Sequence, residues 1–379
     1  MISTKRRKAR IAYIPNEYLE SHYCGRIGGI IHEESGVINI FSEQMKRSGI
    51  PFSELGEIVD NADKTVYSSS IRAFWDNSTL HVEYEGIEYD VKFYDLFQNI
   101  FSRNTGILES KIMTEKRAII LGCGSVGSLI ALELARAGVG NFLLVDNDIL
   151  EYHNLCRHQC SISDVGDYKV NALKRRIIEI NPSANVDSEI AVVEGVRKET
   201  FDKNCISGES VIIGCADNRQ ADVYGNSIAV LYNVPFISIG FWERAFAGEI
   251  FYYLPGRDMP CYKCALGDGA ELSARASVNR RIYTMQEDIS QANFEPGISV
   301  DINFVTTIGI KLILDILNEN TEDYTPRLLD SLQQYTLVCN TNKVAIGGEM
   351  AEIFSYPLQV TTSLKVGFSA HCPPCEFEV

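Results

Sequence analysis

The sequence predicts an α/β protein: a doubly wound, mostly parallel sheet preceded by a small module of different texture. Three observations predict it. Residues 117–148 read RAIILGCGSVGSLIALELARAGVGNFLLVDND, which parses as an apolar run (118–121), a glycine turn, a helix-length stretch closed by Gly138 and Gly140, and a second apolar run (142–145) ending on Asp146. Further strand-like runs follow at 191–194, 210–214, 235–240 and 249–254, with a helical pattern at 170–180. Strands alternating with helical stretches build parallel sheets. Residues 1–110, by contrast, carry short β-like runs and little helical periodicity.

The glycine turn carries the chemistry. In Gly122-Cys-Gly124-Ser-Val-Gly127 the first glycine permits a tight turn, the second lets the backbone approach a phosphate, and the third lets the helix pack on the strand. The helix N-terminus then offers N–H groups to an anion. Asp146 ends the next strand, where an acid accepts hydrogen bonds from ribose hydroxyls. The segment is a mononucleotide-binding βαβ unit and makes the sheet Rossmann-like.

Composition narrows the function. With 379 residues, 45% of them hydrophobic, the chain can bury a large domain and a smaller one. Fifty acids against 35 bases give a net charge of −15, which argues against nucleic acid as a partner, since phosphate backbones need a basic face. No apolar run reaches membrane-spanning length, so no membrane association is expected. The basic start MISTKRRKAR lacks a following apolar segment and does not read as a secretory signal. Eleven cysteines include two CxxC pairs, with the rest scattered, as in a reducing cytoplasm with a metal site.

Taken in order, residues 1–95 form the first module. Its β-like runs are 11–14, 37–41, 79–84 and 87–93, around a stretch read as helical at 53–61 (SELGEIVDN). The alternation across 80–91, with Glu-Gly at its centre, predicts a hairpin. The whole reads as a small α+β or winged-helix fold that either binds a partner, the favoured reading, or caps the larger domain. A linker, 94–115, contains Arg103 in a polar patch, and residues 96–379 make the catalytic domain. After Asp146 come Asp148, Asn154, Arg157 and Lys169 in a polar stretch. The strand at 210–214 ends in Cys215-Ala-Asp217-Asn218, where ligands bind in open α/β sheets. Residues 266–293 read as a loop or lid. Residues 300–317 read as a core helix.

Together these side chains suit nucleotidyl transfer. One acid holds ribose, an arginine and a lysine balance a triphosphate, and a strand-end acid holds Mg²⁺, which prefers oxygen ligands. Hydride transfer would leave the cations unexplained. Cys261/Cys264 (CYKC) and Cys372/Cys375 (CPPC) supply four thiolates, the set for a closed, structural Zn²⁺ site.

The motifs LGCGSVGS, LLVDND-x5-NLCR, GDYK and CADN resemble those of the ThiF/MoeB/ubiquitin-activating adenylation family over roughly residues 100–379. The resemblance implies ATP binding at Gly122, Gly124 and Gly127, with Asp146 on the ribose. Asp148 and Asn218 fall in the same blocks and join the nucleotide set. Asn154, Arg157 and Lys169 would contact phosphates, and Asp217 would hold Mg²⁺. Arg103 is similar to the arginine that family members insert into a partner subunit's ATP site, implying a homodimer. Thioester-forming members carry a cysteine where this chain has Asn293 or Phe294, and no cysteine lies between Cys264 and Cys339. Microcin-type peptide synthetases and pantocin-type peptide maturases are relatives that work without it. The expected activity is therefore adenylation of a carboxylate or amide on a ribosomally made precursor peptide, with no enzyme thioester. The alternative is an activating enzyme for a ubiquitin-like or sulfur-carrier protein.

Overall fold

The computed structural model describes residues 8–64, 70–242, 245–266, 297–340 and 361–368. The chain divides into two compact units, Met1–Thr105 and Gly106–Val379.

The first unit is a seven-stranded closed barrel. Its strands are β1 (Ile11–Pro15), β2 (Gly25–His32), β3 (Val37–Ile40), β4 (Ser53–Val59), β5 (Ile71–Asp76), β6 (Thr79–Tyr84) and β7 (Ile87–Tyr94). They run in the order β1-β3-β2-β4-β5-β6-β7, and β7 closes on β1 in parallel. Short helices α1 (Asn16–Glu20), α2 (Glu43–Arg47) and α3 (Leu96–Phe101) complete an α+β unit. The Glu-Gly hairpin is present: Tyr84 pairs with Ile87, and both turn residues have positive φ. Inside sit Ile14, Ile27, Ile38, Ile58, Ile71 and Val82, around Trp75, which is 1% exposed and donates its indole N–H to the Tyr23 carbonyl.

One element differs from expectation. Residues 53–61 read as helical because Leu55 and Ile58 recur three apart, yet they hold strand β4. Opposite β2 the register slips between Ile27 and Gly28, so one residue of β4 is extra at the bulge. That slip lets Leu55 and Ile58 both face the barrel core at an interval a regular strand would not allow.

The second unit is a three-layer α/β domain. Helix α4 (Ser110–Glu115) leads into β8 (Arg117–Leu121), α5 (Ser125–Arg136), β9 (Asn141–Val145), α6 (Lys169–Ile180) and β10 (Asn185–Glu189). Then come α7 (Lys198–Asn204), β11 (Ser210–Gly214), α8 (Arg219–Tyr232), β12 (Phe236–Phe241), β13 (Ala247–Tyr253) and α9 (Tyr262–Leu266). Helix α10 (Ser299–Leu317) and strands β14 (Tyr335–Cys339) and β15 (Thr361–Leu364) follow among the described residues. The sheet order is β10-β9-β8-β11-β12-β13-β14-β15, parallel through β12 and antiparallel beyond. All five residues of β8 and of β11 are buried, because helices cover both faces. The run expected as a strand at 191–194 is instead loop and a single 3₁₀ turn. The strand is the polar NVDSE just before it, at the sheet edge, where only Val186 needs burial. Val193 and Val196 are buried as loop anchors. The expected lid, 266–293, falls almost wholly outside the described residues.

Chain order reverses beside β8, with β9 and β10 on one side and β11 and β12 on the other. That places the ligand crevice at the C-terminal ends of β8 and β11. In the same unit, the fully buried Asp315 of α10 accepts the N–H groups of Arg327, Leu328 and Leu329 and the Tyr324 hydroxyl at 2.6–3.1 Å. The chain entering β14 is fixed by that carboxylate. Among the described residues no helix is long and apolar enough to cross a membrane.

Candidate active site

Three neighbouring strands end at one level. Leu121 pairs with Val145 on one side and Gly214 on the other, so Gly122, Asp146 and Cys215 leave the sheet side by side. Gly122 has φ +96°, and a Cβ there would meet the Ala216 nitrogen at 2.8 Å. A Cβ on Gly127 would lie 2.0 Å from the Gly122 carbonyl oxygen, so α5 packs directly on the turn. Gly124 is different. A Cβ there would meet nothing within 4 Å, so the turn opens at this residue, directly before the first helical N–H groups of α5.

The acids are tied to this turn. Asp146 accepts the Cys123 N–H at 2.7 Å through one carboxylate oxygen and the Asp148 N–H at 2.8 Å through the other. Asp148 takes the Lys169 ammonium at 2.6 Å, while its carbonyl accepts the Lys169 N–H at 3.0 Å. The glycine turn, the end of β9 and the start of α6 are thus one network. Lys169 is buried and its partner carboxylate is exposed.

Asn154 accepts the Glu151 N–H at 2.8 Å in the capping box of a 3₁₀ turn, Tyr152–Asn154. The half-buried Arg157 follows, its N–H on the Asn154 carbonyl at 3.0 Å. Asp217 is exposed just past β11. Asn218 caps α8, its amide oxygen accepting the Ala221 N–H at 2.7 Å. Arg103 lies exposed at the end of the first unit, in a turn following α3.

Three features escaped the sequence reading. His158 is only 6% exposed, with Nε2 2.8 Å from the Cys123 carbonyl and Nδ1 accepting the Cys160 N–H at 3.1 Å. Burial holds its pKa below the ordinary histidine value. Arg219 opens α8 and lies 3.4 Å from Glu249, both nearly buried, and Glu249 also accepts the Trp242 indole at 3.1 Å and the Tyr335 hydroxyl at 2.6 Å. Asp222, one turn on, is buried and accepts the Ser238 hydroxyl at 2.6 Å. No spacing rule separates such buried polar residues from surface ones. Burial also pushes the Cys123 and Cys215 thiols well above their usual pKa, so both are neutral under the turn.

Cys261 and Cys264 are buried at the start of α9, with sulfurs 3.7 Å apart. Cys372 and Cys375 lie outside the described residues, within which no group of three or more His, Cys, Asp or Glu is gathered as for a metal ion.

A family model described as the ThiF family matches residues 98–342, well over half of the chain. The chain belongs to the ThiF family. It is 27% identical over 211 residues to ubiquitin-like modifier-activating enzyme 5 of Bombyx mori, covering 54% of this chain and 52% of that one. It is 33% identical over 159 residues to the sulfur carrier protein ThiS adenylyltransferase of Bacillus subtilis, covering 41% and 45%. The chain therefore spans about half the length of the curated relatives it matches. Among solved structures, E. coli MccB aligns over 74% of this chain and 73% of its own, with a TM-score of 0.50 and 22% identity. MccB with ATP aligns over 70% and 68%, with a TM-score of 0.50 and 20% identity. These likenesses show a shared fold. For a ThiF-family chain, the doubly wound sheet and its glycine turn are the expected core.

Proposed function

We propose that this protein is an ATP-dependent adenylating enzyme that activates a carboxylate or amide of a ribosomally made peptide. The observation that carries the ATP reading is the open cradle at Gly124 beside the Asp146–Asp148–Lys169 network. A Cβ at Gly124 would meet nothing within 4 Å, which leaves room for a phosphate before the helix N–H groups, and the buried Lys169 and half-buried Arg157 would supply positive charge to it. Asp146 would hold the ribose. Asp217, exposed at a strand end, offers the oxygen donor Mg²⁺ prefers. In the reaction, a substrate carboxylate or amide oxygen attacks the α-phosphorus. The bond from that phosphorus to the bridging oxygen breaks, pyrophosphate leaves, and a nucleophile then takes the activated carbon and releases AMP. Arg103 of one protomer would reach its partner's ATP in a homodimer.

The peptide reading rests on two supports. The sequence has no cysteine between Cys264 and Cys339, so the thioester step of carrier-protein activation has no thiol in its usual place. A separate folded unit of about a hundred residues precedes most of the family match, as a substrate-holding module would. Carrier-protein activation is the second reading, favoured by the relatives' own names. Cys261 and Cys264 fit a structural zinc: thiolates on a tetrahedron with Zn–S bonds of about 2.3 Å stand roughly 3.8 Å apart, against 3.7 Å here. Cys372 and Cys375 would complete the set.

The test is incubation with ATP, Mg²⁺ and either a candidate precursor peptide or a small protein ending in Gly-Gly, read by intact mass and by pyrophosphate exchange. Exchange dependent on the peptide supports the proposal. Exchange with the carrier protein alone overturns its peptide half, and no exchange with either overturns the whole.

A further inference from the structure

We propose that His158 is a positioning residue that locks the glycine turn to the arginine-bearing segment. Both backbone groups of Cys123, at the centre of the turn, are held by side chains. Its N–H goes to Asp146 at 2.7 Å, and its carbonyl meets His158 Nε2 at 2.8 Å. The imidazole has one workable protonation state. Nδ1 accepts the Cys160 N–H at 3.1 Å, so it carries no proton, and the ring's hydrogen sits on Nε2, pointing at the Cys123 carbonyl. A trans peptide sets its C=O and N–H antiparallel. Fixing the Cys123 carbonyl on His158 therefore fixes the Gly124 N–H facing away from it, at the one glycine of the turn whose Cα faces open space.

The other end of the lock is the polar stretch itself. His158 directly follows Arg157, and its own N–H is bonded to the Asn154 carbonyl at 2.8 Å. The next residue is fastened too: the Gln159 N–H donates to the Ser128 hydroxyl at 3.3 Å, on the first turns of α5. Segment 154–160 is thus bound at two points to the turn and helix it faces. A turn assembled without this tie would keep its glycines but lose the fixed orientation of the Cys123–Gly124 peptide and the fixed placement of Arg157. Asp146 alone cannot supply that, because it holds only the N–H side.

The inference rests on the reading that this turn binds ATP, and the experiment separates the two. Two amide replacements split the imidazole's contacts. In His158→Gln the amide nitrogen stands in for Nε2 and can still donate to the Cys123 carbonyl. In His158→Asn the amide oxygen stands in for Nδ1 and can still accept the Cys160 N–H, but nothing reaches Cys123. With each variant's melting temperature measured alongside, calorimetric ATP binding and pyrophosphate exchange are recorded. The expectation is that Gln keeps the KM for ATP within about 3-fold of wild type while Asn raises it by ~10-fold, the cost of one lost hydrogen bond, with kcat changed less than KM. Equal ATP affinities for Gln and Asn would overturn the lock. If wild type neither binds nor turns over ATP, the adenylation reading fails instead. The lock is then still tested by ¹⁵N-histidine NMR of the wild-type chain, where a neutral, Nε2-protonated His158 is required. A proton on Nδ1 would refute it, and the same measurement decides should a variant fail to fold.

Discussion

Replacing Lys169 by methionine should separate stability from catalysis. The ammonium sits 2.6 Å from Asp148, yet the Asp148 side chain is 61% exposed and water takes over as its partner once the lysine is gone. An ion pair with one member in solvent contributes about 0–1 kcal/mol. Methionine keeps the apolar stem in its buried slot, so folding should change by about 1 kcal/mol or less, a melting shift of roughly 1–2 °C at an unfolding entropy of about 2.1 cal/mol/K per residue. Catalysis is a different matter. If Lys169 meets charge developing on the phosphates, losing one preorganised contact costs about 2.7–4 kcal/mol, or ~10²–10³ in rate. Thermal denaturation and pyrophosphate exchange on the same sample measure both quantities. Exchange within about 3-fold of wild type would refute a phosphate role, being far less than such a contact supplies. A large melting shift with a proportionate loss of exchange would make Lys169 a structural residue.

Asp217→Ala should abolish Mg²⁺-dependent exchange with the fold intact, and a wild-type rate at saturating Mg²⁺ would remove Asp217 from the metal site. Purified without chelator, the protein should carry one zinc per chain, and Cys264→Ser should unfold it rather than selectively stop chemistry, since structural zinc contributes on the order of 10 kcal/mol. Metal analysis finding none refutes this. Burial depresses the His158 pKa, opposed by the hydrogen bond to the Cys123 carbonyl, with the Lys169 charge adding to the depression and Asp146 and Asp164 opposing it. Its contribution to stability is therefore complete above the unfolded value of about 6.5 and drains as pH falls below it, at most about 1.36 kcal/mol per unit. Urea midpoints between pH 7 and 5 should fall less for His158→Gln than for wild type. Finally, no thioester should form. Among the described residues only Cys24 and Cys156 are exposed thiols, while burial raises Cys160 and Cys205 to about 12 and Cys339 to about 11. The double Cys24→Ser, Cys156→Ser variant should keep peptide conversion and AMP release, and loss of conversion together with a thiol-sensitive adduct in the parent would favour the carrier-protein reading.

What could be read from the sequence was what a local pattern dictates. The glycine turn announces itself because each glycine answers a separate steric demand, two of them visible as collisions a Cβ would make. The central strands are legible because burial on both faces forces continuous apolar runs. Edge strand β10 has no such pressure: its polar NVDSE lacks an apolar run, while the AVVE next to it has one without being a strand. Strand β4 failed for the opposite reason, since a bulge in its pairing with β2 gave it the spacing of a helix.

The site divides along the same line. Asp146, Asp148 and Lys169 sit at element ends, which hydropathy marks, and the fold joins them into one network. Asn218 lies in a motif at a strand end, and the fold adds a role the motif does not show: its side-chain oxygen caps α8. His158 and Glu249 were invisible because their importance comes from burial against other segments. His158 meets Cys123 from 35 residues away, and Glu249 meets Arg219 from 30. Neither contact leaves a periodic trace in the chain. The groups that touch a ligand are constrained by chemistry and therefore recur in motifs. The groups that hold those in place are constrained only by the neighbour they must reach, and only the folded chain reveals which neighbour that is.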